Sequence, residues 1–199
     1  MSTRDTKPTL WFVRHGESTW NAAGIVQGQA EGPVLTAKGR REAARVAEQL
    51  RKSRVAAIYT SDLERAHETA AIIGHALRVP LRYERALRER NFGQAEGHPL
   101  DELATAASGI EGERVVDADV RPTEGESVRD LYERVRGFID ATETGALEGD
   151  VVVVTHGGVI RVAQAYDSGI GVEAMSWGPV PNASVWSLGR PRPAAAVVQ

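Results

Sequence analysis

Residues 10–17 read Leu-Trp-Phe-Val-Arg-His-Gly-Glu, an apolar run of four that changes abruptly to charged residues and glycine. This pattern predicts a buried strand that ends in a loop. At such an exit Arg14 suits an anionic ligand, and Gly16 lets backbone N–H groups approach that ligand closely. His15 is a usable nucleophile if nearby arginines keep it neutral, because protonation would add a like charge. Taken alone, the tetrapeptide fits an ordinary loop histidine as well as a catalytic one.

The composition is that of an ordinary globular protein. Of the 199 residues, 42% are hydrophobic and 26% are charged, which predicts a single domain over residues 1–199 with a substantial core. The polar residues 1–8 and the Pro- and Ala-rich residues 189–199 are expected to be flexible tails.

The charge balance and the lack of cysteine exclude several classes of function. A net charge of −3 argues against nucleic-acid and membrane-surface binding, so locally placed arginines must attract any anionic ligand. Without cysteine there are no disulfides, thiolate metal sites or thiol catalysis. Because neither a signal peptide nor a membrane-spanning run is visible, the sequence predicts a cytoplasmic protein.

Short apolar runs alternate with amphipathic helical patterns along the chain. Four consecutive valines at 151–154 are typical of a strand covered on both faces. Helices are predicted after Thr36, after Ser61 in a capping box with Glu64, and after Ser127. The remaining predicted elements are strands at 55–59, 81–83 and 184–188, a loop at 22–34, and helices at 100–107 and 159–166. This alternation implies an α/β fold, a three-layer α/β/α sandwich with a mostly parallel central sheet flanked by helices.

Three candidate site residues follow predicted strands: His15, His156 and Arg65. Ligands of open parallel sheets bind beyond the carboxyl ends of the strands, so the two histidines meet if their strands are neighbours. Arg65 lies in the first turn of its helix, where a planar guanidinium can grip phosphate bidentately; the alternative is a solvated helix arginine. Spacing does not establish strand order, so this convergence is a hypothesis.

Other candidate groups are less clearly marked. Glu89 is either one more charge in a polar loop or the proton donor to a leaving oxygen. His67, His75 and His98 lack the spacing of a zinc site, and no metal is predicted. The glycine clusters match neither nucleotide-binding motif, and no serine has a nucleophile-elbow context, so no cofactor is predicted.

An ordered series of motifs resembles one known family. The series comprises Arg14-His15-Gly16-Glu17-Ser18-Thr19-Trp20-Asn21, Leu35-Thr36-Ala37-Lys38-Gly39, Ser61-Asp62-Leu63-Glu64-Arg65-Ala66-His67-Glu68-Thr69-Ala70, Glu89-Arg90-Asn91-Phe92-Gly93, Gly125-Glu126-Ser127, Thr155-His156-Gly157-Gly158 and, more faintly, Asn182-Ala183-Ser184. In this order the motifs closely resemble the histidine phosphatase superfamily, in its phosphoglycerate mutase-like branch. The resemblance covers residues 10–188 and is specific as a set, although any one piece could be chance.

The resemblance implies a role for each matching residue. His15 would become phosphorylated, and Arg14, Arg65 and His156 would complete the phosphate pocket. Glu89 would be the acid–base group. The remaining implied phosphate-site positions are Asn21, Gln27 and Gly28 in the first loop and Gly157 through its backbone N–H.

Arg90 bears on the choice between two activities. Glu89-Arg90 resembles the mutase version of its motif, in which Arg90 is a candidate to hold a substrate carboxylate or second phosphate; the alternative is a surface arginine. A mutase, however, must surround its pocket with cations and exclude water. Between Gln94 and Glu126 the only lysines or arginines are Arg114 and Arg121, among many more acidic residues. The sequence therefore favours a phosphatase.

The predicted function is a metal-independent phosphomonoesterase that hydrolyses a small phosphorylated metabolite through a phosphohistidine. The alternatives are a mutase dependent on 2,3-bisphosphoglycerate and, more remotely, a non-catalytic phosphate-binding module. Valine and tryptophan near the C-terminus would permit a homodimer. The physiological substrate is not readable from the sequence.

Overall fold

The computed structural model describes residues 9–103, 105–143 and 148–188, so both expected tails lie outside the described residues. The strands are β1 (Leu10–Arg14), β2 (Val55–Thr60), β3 (Leu81–Tyr83), β4 (Ile110–Glu111), β5 (Arg114–Val115), β6 (Asp150–Thr155) and β7 (Val185–Leu188). The helices are α1 (Thr19–Ala23), α2 (Ala37–Leu50), α3 (Glu64–Leu77), α4 (Thr105–Ser108), α5 (Val128–Glu143) and α6 (Gly157–Asp167). Within these described ranges, no helix has both the length and the apolar composition needed to cross a membrane.

Five strands form the central sheet in the order β3-β2-β6-β1-β7. The pairs β3–β2, β2–β6 and β6–β1 are parallel, and β7 joins the edge of the sheet antiparallel to β1. The small hairpin β4–β5 lies outside this sheet. The predicted mostly parallel sheet flanked by helices is confirmed.

Two apolar clusters pack the helices on opposite faces of the sheet. Val152 and Val154 of β6 belong to the cluster that includes α2 and α3. Val151 and Val153 belong to the cluster that includes α5 and α6. All four valines are fully buried, because alternate side chains of a central strand point to opposite covered faces.

The predicted helix starts are confirmed in part. The Thr36 side chain accepts the Gly39 N–H and caps α2 as predicted. The prediction that Ser61 caps α3 is wrong, because the helix begins at Glu64 after an extended Leu63 that makes no side-chain cap. The predicted loop at 22–34 overlaps α1, and the helix predicted at 100–107 is a 3₁₀ turn (Leu100–Glu102) with the four-residue α4.

The strand order determines where the site lies. β6 sits between β1 and β2, and the three strands run parallel, so their carboxyl ends meet at one edge of the sheet. β1 ends at Arg14, β6 at Thr155 and β2 at Thr60. The residues that follow these ends are His15, His156 and Ser61. The hypothesis that the two histidine strands are neighbours is therefore confirmed.

Candidate active site

A cavity of about 570 Å³ opens at this edge of the sheet. Arg14, His15 and Arg65 line its inner end, together with Glu89 from the loop after β3. Its outer wall is largely apolar and includes Ile25, Phe92, Leu100, Leu103, Ile110 and Trp177. The cavity thus has a cationic end and an apolar end, a layout that suits an anionic group attached to a small carbon skeleton.

His15 is held in one orientation and one tautomer. Its backbone N–H donates to Thr155 O at 2.9 Å, and its ring Nδ1 lies 2.8 Å from Gly16 O. Because a carbonyl only accepts, Nδ1 carries the proton and Nε2 keeps its lone pair. Burial, with Arg65 and Arg14 nearby, holds the pKa of His15 well below 6.5. The ring is therefore neutral near pH 7 and nucleophilic at Nε2.

Two arginines bring unpaired N–H groups to the same place. Arg65 donates through Nη2 to Gly28 O at 2.6 Å, and Arg14 donates through Nη1 to Val180 O. In the described part of the chain, the buried side-chain nitrogens without a hydrogen-bond partner are Arg14 Nε, Arg65 Nε, Arg65 Nη1 and His156 Nδ1. Buried donors are rarely left unpaired in folded proteins, so this group of donors points to an anion with several acceptor oxygens.

Burial lowers the pKa of Arg65 to about 10, so the guanidinium remains charged at neutral pH. The pKa of Arg14 is also lowered, again chiefly by burial. Neither arginine forms an ion pair with a carboxylate in the described residues. A phosphoryl group would supply the negative charge that these two cations lack.

His156 lies beside His15, with 5.1 Å between the ring centroids. Its Nε2 is 2.9 Å from Ser61 Oγ, which also accepts the Leu63 N–H. With that hydroxyl lone pair engaged, the Ser61 proton can be donated to Nε2, which leaves Nδ1–H as the free donor. Ser61 is a site residue that the sequence analysis assigned only to a helix cap.

The N-terminus of α6 holds the Glu89 carboxylate at the site. Its two carboxylate oxygens each lie 3.1 Å from the Gly158 N–H, and Oε1 also accepts the Arg90 N–H at 2.8 Å. A Cβ on Gly158 would lie 2.2 Å from Oε1, so any other residue here would push the Glu89 carboxylate away from this position. The contact brings Glu89 from the loop after β3 to the turn that follows His156.

The first-loop candidates also reach the cavity. Asn21, Gln27 and Gly28 all line it. The Asn21 amide oxygen accepts from Asn182 Nδ2 at 3.0 Å, which leaves its own NH₂ group as a donor. Gly157 begins α6, so its N–H has no acceptor within the helix. These positions are consistent with anion binding by side-chain and backbone donors.

Arg90 does not lie where the sequence analysis expected it. The side chain is completely buried, and its guanidinium donates to three backbone carbonyls: Glu126 O at 2.9 Å, Ser108 O at 2.7 Å and Val120 O at 3.2 Å. It is neither a surface arginine nor part of the cavity lining. We therefore withdraw Arg90 as a substrate-binding residue, because each of its three guanidinium nitrogens already donates to a backbone carbonyl outside the cavity.

Arg161 in α6 is a cavity residue that was not predicted from the sequence. Its guanidinium lines the cavity, donates through Nε to Gly178 O at 2.7 Å and stacks on Trp177, with 4.8 Å from Cζ to the ring centroid. One helical turn separates Arg161 from Gly157, which could have indicated that both face the same side. Trp177 carried no such signal, because it comes from an irregular segment far along the chain.

Comparison with known proteins agrees with this geometry. The family described as histidine phosphatase superfamily (branch 1) matches residues 10–198. A Yersinia enterocolitica protein named "Probable phosphoglycerate mutase GpmB" is 35% identical over 156 residues, which cover 74% of this chain and 69% of that protein.

Solved structures named for both activities resemble the chain. A mycobacterial glucosyl-3-phosphoglycerate phosphatase, determined as a complex with VO3, is 30% identical, with a TM-score of 0.78 over 90% of this chain and 92% of that one. A phosphoglycerate mutase from Thermus thermophilus is 31% identical, with a TM-score of 0.68 over 92% and 94%. The match over almost the whole chain, together with the two histidines and two arginines at one sheet edge, shows that the protein belongs to the histidine phosphatase superfamily, branch 1.

Proposed function

We propose that the protein is a metal-independent phosphomonoesterase that acts on a small phosphorylated metabolite through a phosphohistidine on His15. Family membership and the phosphatase among its structural neighbours make it a phosphoric monoester hydrolase. The observation that carries the proposal is the set of unpaired donors on Arg14, Arg65 and His156 around a neutral histidine.

The first half-reaction transfers the phosphoryl group to the enzyme. His15 Nε2 attacks phosphorus in line, the P–N bond forms and the ester P–O bond breaks. Arg14 and Arg65 stabilise the charge on the phosphoryl oxygens, a role that metal ions play in other phosphoryl-transfer enzymes. Glu89 donates a proton to the departing oxygen, so the alcohol leaves neutral.

The second half-reaction restores the enzyme. Glu89, now ionised, takes a proton from water while the water oxygen attacks phosphorus. The P–N bond breaks, inorganic phosphate leaves, and His15 is again the neutral Nδ1–H tautomer. The hydrogen bonds from Gly158 and Arg90 N–H hold the Glu89 carboxylate in place for both steps.

A mutase reaction would require the cavity to hold a second phosphate. The segment that covers the outer end contributes Leu100, Leu103, Ser108, Ile110 and Gly112, none of which is cationic. Arg90 is engaged elsewhere, which leaves Arg161 as the additional arginine in the lining. This charge balance favours water as the phosphoryl acceptor, although a relative carries a mutase name.

Hydrolysis of 4-nitrophenyl phosphate in excess EDTA tests the proposal. We expect turnover without added metal and an acid-labile phosphoenzyme after rapid quenching with labelled substrate. Activity only in the presence of 2,3-bisphosphoglycerate would instead identify a mutase. Phosphate binding without turnover of any phosphomonoester would identify a binding module. Cytoplasmic location, a single domain and homodimer formation stay predictions from the sequence.

A further inference from the structure

Glu96 is a half-buried carboxylate to which the proposed reaction gives no role. Its Oε1 accepts two backbone N–H groups, from Gln29 at 2.8 Å and from Phe92 at 2.9 Å. Phe92 lines the cavity, and so does Gly28, the residue before Gln29. A single carboxylate oxygen therefore joins the first loop to the loop after β3 at the wall of the cavity.

The Glu96 side chain also packs directly on Gly28. A Cβ on Gly28 would lie 1.9 Å from Glu96 Oε1 and 2.4 Å from its Cδ, so any other residue would push the carboxylate away. Gly28 also has a φ of +46°, a left-handed conformation that favours glycine. The carbonyl of this same residue accepts the Nη2–H of Arg65 at 2.6 Å. Gly28 therefore contacts both Glu96 and the buried guanidinium of the phosphoryl site.

Backbone pairing brings the first loop to the segment that contains Glu96. Two hydrogen bonds, both 2.9 Å long, join Val26 to residues 97 and 98. Beyond Val26 the chain turns at residues 27–30. There the Glu96 carboxylate, rather than a backbone carbonyl, accepts the N–H of Gln29. The position of this turn, and of the carbonyl at its second residue, therefore depends on a side chain.

We propose that Glu96 is a positioning residue, which holds the turn at 27–30 so that Gly28 O keeps the Arg65 guanidinium aligned on the phosphoryl group. This inference rests on the proposed phosphomonoesterase function. Arg65 Nη2 is fixed on Gly28 O, whereas Nε and Nη1 are unpaired in the described part of the chain. The carbonyl thus sets the direction in which the free donors point. Misplacement of such a group by about 1 Å can cost about 10²-fold in rate.

Glu96 acts by geometry rather than by charge. Burial lowers the pKa of Arg65 to about 10, and the charges of Glu89 and Glu96 oppose that shift. The guanidinium is therefore charged at neutral pH, and a bound phosphoryl group would favour the charged form further. A neutral side-chain oxygen in the place of the Glu96 carboxylate should then align Arg65 nearly as well.

The turn also contacts Glu89, but not its carboxylate. Gln29 Nε2 donates to the backbone oxygen of Glu89 at 3.0 Å. The carboxylate has donors of its own, the N–H groups of Gly158 and Arg90. Loss of Glu96 should therefore act on Arg65 and not on the proton donor, so its cost should not depend on the leaving group.

Glu96→Ala tests the inference by enzyme kinetics. We expect kcat/KM for 4-nitrophenyl phosphate and for an alkyl phosphate to fall by the same factor, about 30-fold. In an Arg65→Lys background the further loss should be less than about 5-fold, because the fork that Glu96 aligns is already absent.

Asp150→Ala is the matched control. This half-buried carboxylate accepts the Thr9 N–H at 3.3 Å and the Trp11 Nε1–H at 3.1 Å. It begins β6, at the end of the sheet opposite to the site. Asp150→Ala should therefore lower the free energy of unfolding and leave kcat/KM unchanged.

Two conservative variants keep the test independent of folding. Glu96→Gln keeps an acceptor oxygen at the same distance from the backbone, so its kcat/KM should stay within about 5-fold of the wild type. Glu96→Asp keeps the charge but is one methylene shorter, so it should lose about as much as Glu96→Ala, about 30-fold. Thermal unfolding shows which variants are folded. If Glu96→Ala is not, the comparison of Glu96→Gln with Glu96→Asp decides.

Several results would overturn the inference. One is wild-type kcat/KM in folded Glu96→Ala, and another is a loss that is just as large in the Arg65→Lys background. A loss much larger for the alkyl phosphate would place the effect on Glu89, and Glu96→Asp more active than Glu96→Gln would show that the charge matters. With wild-type turnover of 4-nitrophenyl phosphate these results remove only this inference, whereas no turnover of any phosphomonoester by the wild type removes the proposed function itself.

Discussion

Arg65 and Arg90 are the two largest fully buried side chains of the described chain, yet they differ in how their hydrogen-bond donors are paired. Arg65, at the edge of the sheet, has one donor paired and two unpaired. Arg90, in the irregular loop after β3, has its guanidinium satisfied by three backbone carbonyls. In both, burial lowers the pKa to about 10. Burial and pKa therefore do not separate the candidate ligand-binding arginine from the structural one, whereas the unpaired donors of Arg65 do.

The same contrast holds for the regions around the two arginines. At the sheet edge, strand ends hold the functional groups and leave donors free for a ligand. In residues 85–103 and 105–126, side-chain donors hold the loops together: Arg134 of α5, for example, donates to Ala86 O at 2.7 Å and Glu89 O at 2.9 Å. The first region therefore offers unpaired donors to a ligand, and the second supports Glu89 and the outer wall of the cavity.

The largest expected effect is at the nucleophile. His15→Ala should lower kcat by at least about 10⁴-fold and remove the acid-labile phosphoenzyme, because no P–N bond can then form. His75→Ala, at an exposed histidine of α3, is the matched control and should behave as the wild type. A labelled phosphoenzyme that persists in His15→Ala would displace His15 as the nucleophile.

Exchanging the two buried arginines for lysine tests the comparison directly. Arg65→Lys should lower kcat/KM by about 10² to 10³-fold, because the unpaired fork that faces the phosphoryl group is lost. Arg90→Lys should change kcat/KM little but lower the free energy of unfolding by about 2–4 kcal/mol, because carbonyls lose their donors. Steady-state kinetics give kcat/KM for each variant, and urea unfolding gives the free energy of unfolding of each. Similar kinetic losses in both would break the distinction between the two arginines.

Glu89 should matter most when the leaving group is poor. Glu89→Gln should lower kcat/KM for an alkyl phosphate by about 10²-fold and for 4-nitrophenyl phosphate by much less, because nitrophenolate leaves without a proton. Glu113→Gln, at an exposed carboxylate near the outer wall, is the control and should affect neither. Equal losses on the two substrates would remove the acid role.

Ser61 should act through His156. Ser61→Ala should lower kcat by about 10-fold and change the pH profile, because the tautomer with Nδ1–H is no longer enforced. Thr60→Val is the matched control: it also deletes a buried hydroxyl, but one that donates to Ser61 O at 2.9 Å rather than to the histidine. If both variants lose stability and neither changes the pH profile, Ser61 is only structural.

The smallest expected effect is the change in the free energy of unfolding with pH. The pKa values of His15 and His156 are held well below 6.5 by burial and by neighbouring arginines. Below about pH 6.5 the unfolded chain binds protons that the folded chain does not, so stability falls as the pH falls. Each histidine contributes up to about 1.4 kcal/mol per pH unit in this range.

Urea unfolding between about pH 5 and about pH 6.5 measures this slope, because carboxylates with lowered pKa lose their contribution only at lower pH. Asp62, for example, starts from a pKa of 3.8 when unfolded. His156→Asn should remove about half of the slope. A stability independent of pH in this window would mean that the buried histidines titrate normally.

Much of the site was predictable because its residues stand next to strand ends. The switch from apolar run to polar break marks such ends in β1 and β6, and parallel strands bring their carboxyl ends to one edge. Arg65 was predictable for the same reason, since it lies in the first turn of α3, the helix that follows β2. For these residues the order of the strands was missing, because spacing along the chain does not encode which strands pair.

The wrong predictions share a different cause. Ser61 has the spacing of a helix cap, but its hydroxyl contacts a histidine 95 positions away. Arg90 resembles a substrate-binding position, but its partners are the carbonyls of residues 108, 120 and 126. In both residues a distant contact overrides the local pattern, and no local pattern reports such a contact.

The amino-acid sequence alone predicted the α/β class, the family and the candidate phosphoryl-binding residues, because periodicity and strand-end motifs are local properties of the chain. The tertiary structure alone decided which buried arginine keeps free donors, which tautomer His15 adopts and that Arg161 lines the cavity. These outcomes depend on backbone groups far away in sequence, whose positions exist only once the chain is folded.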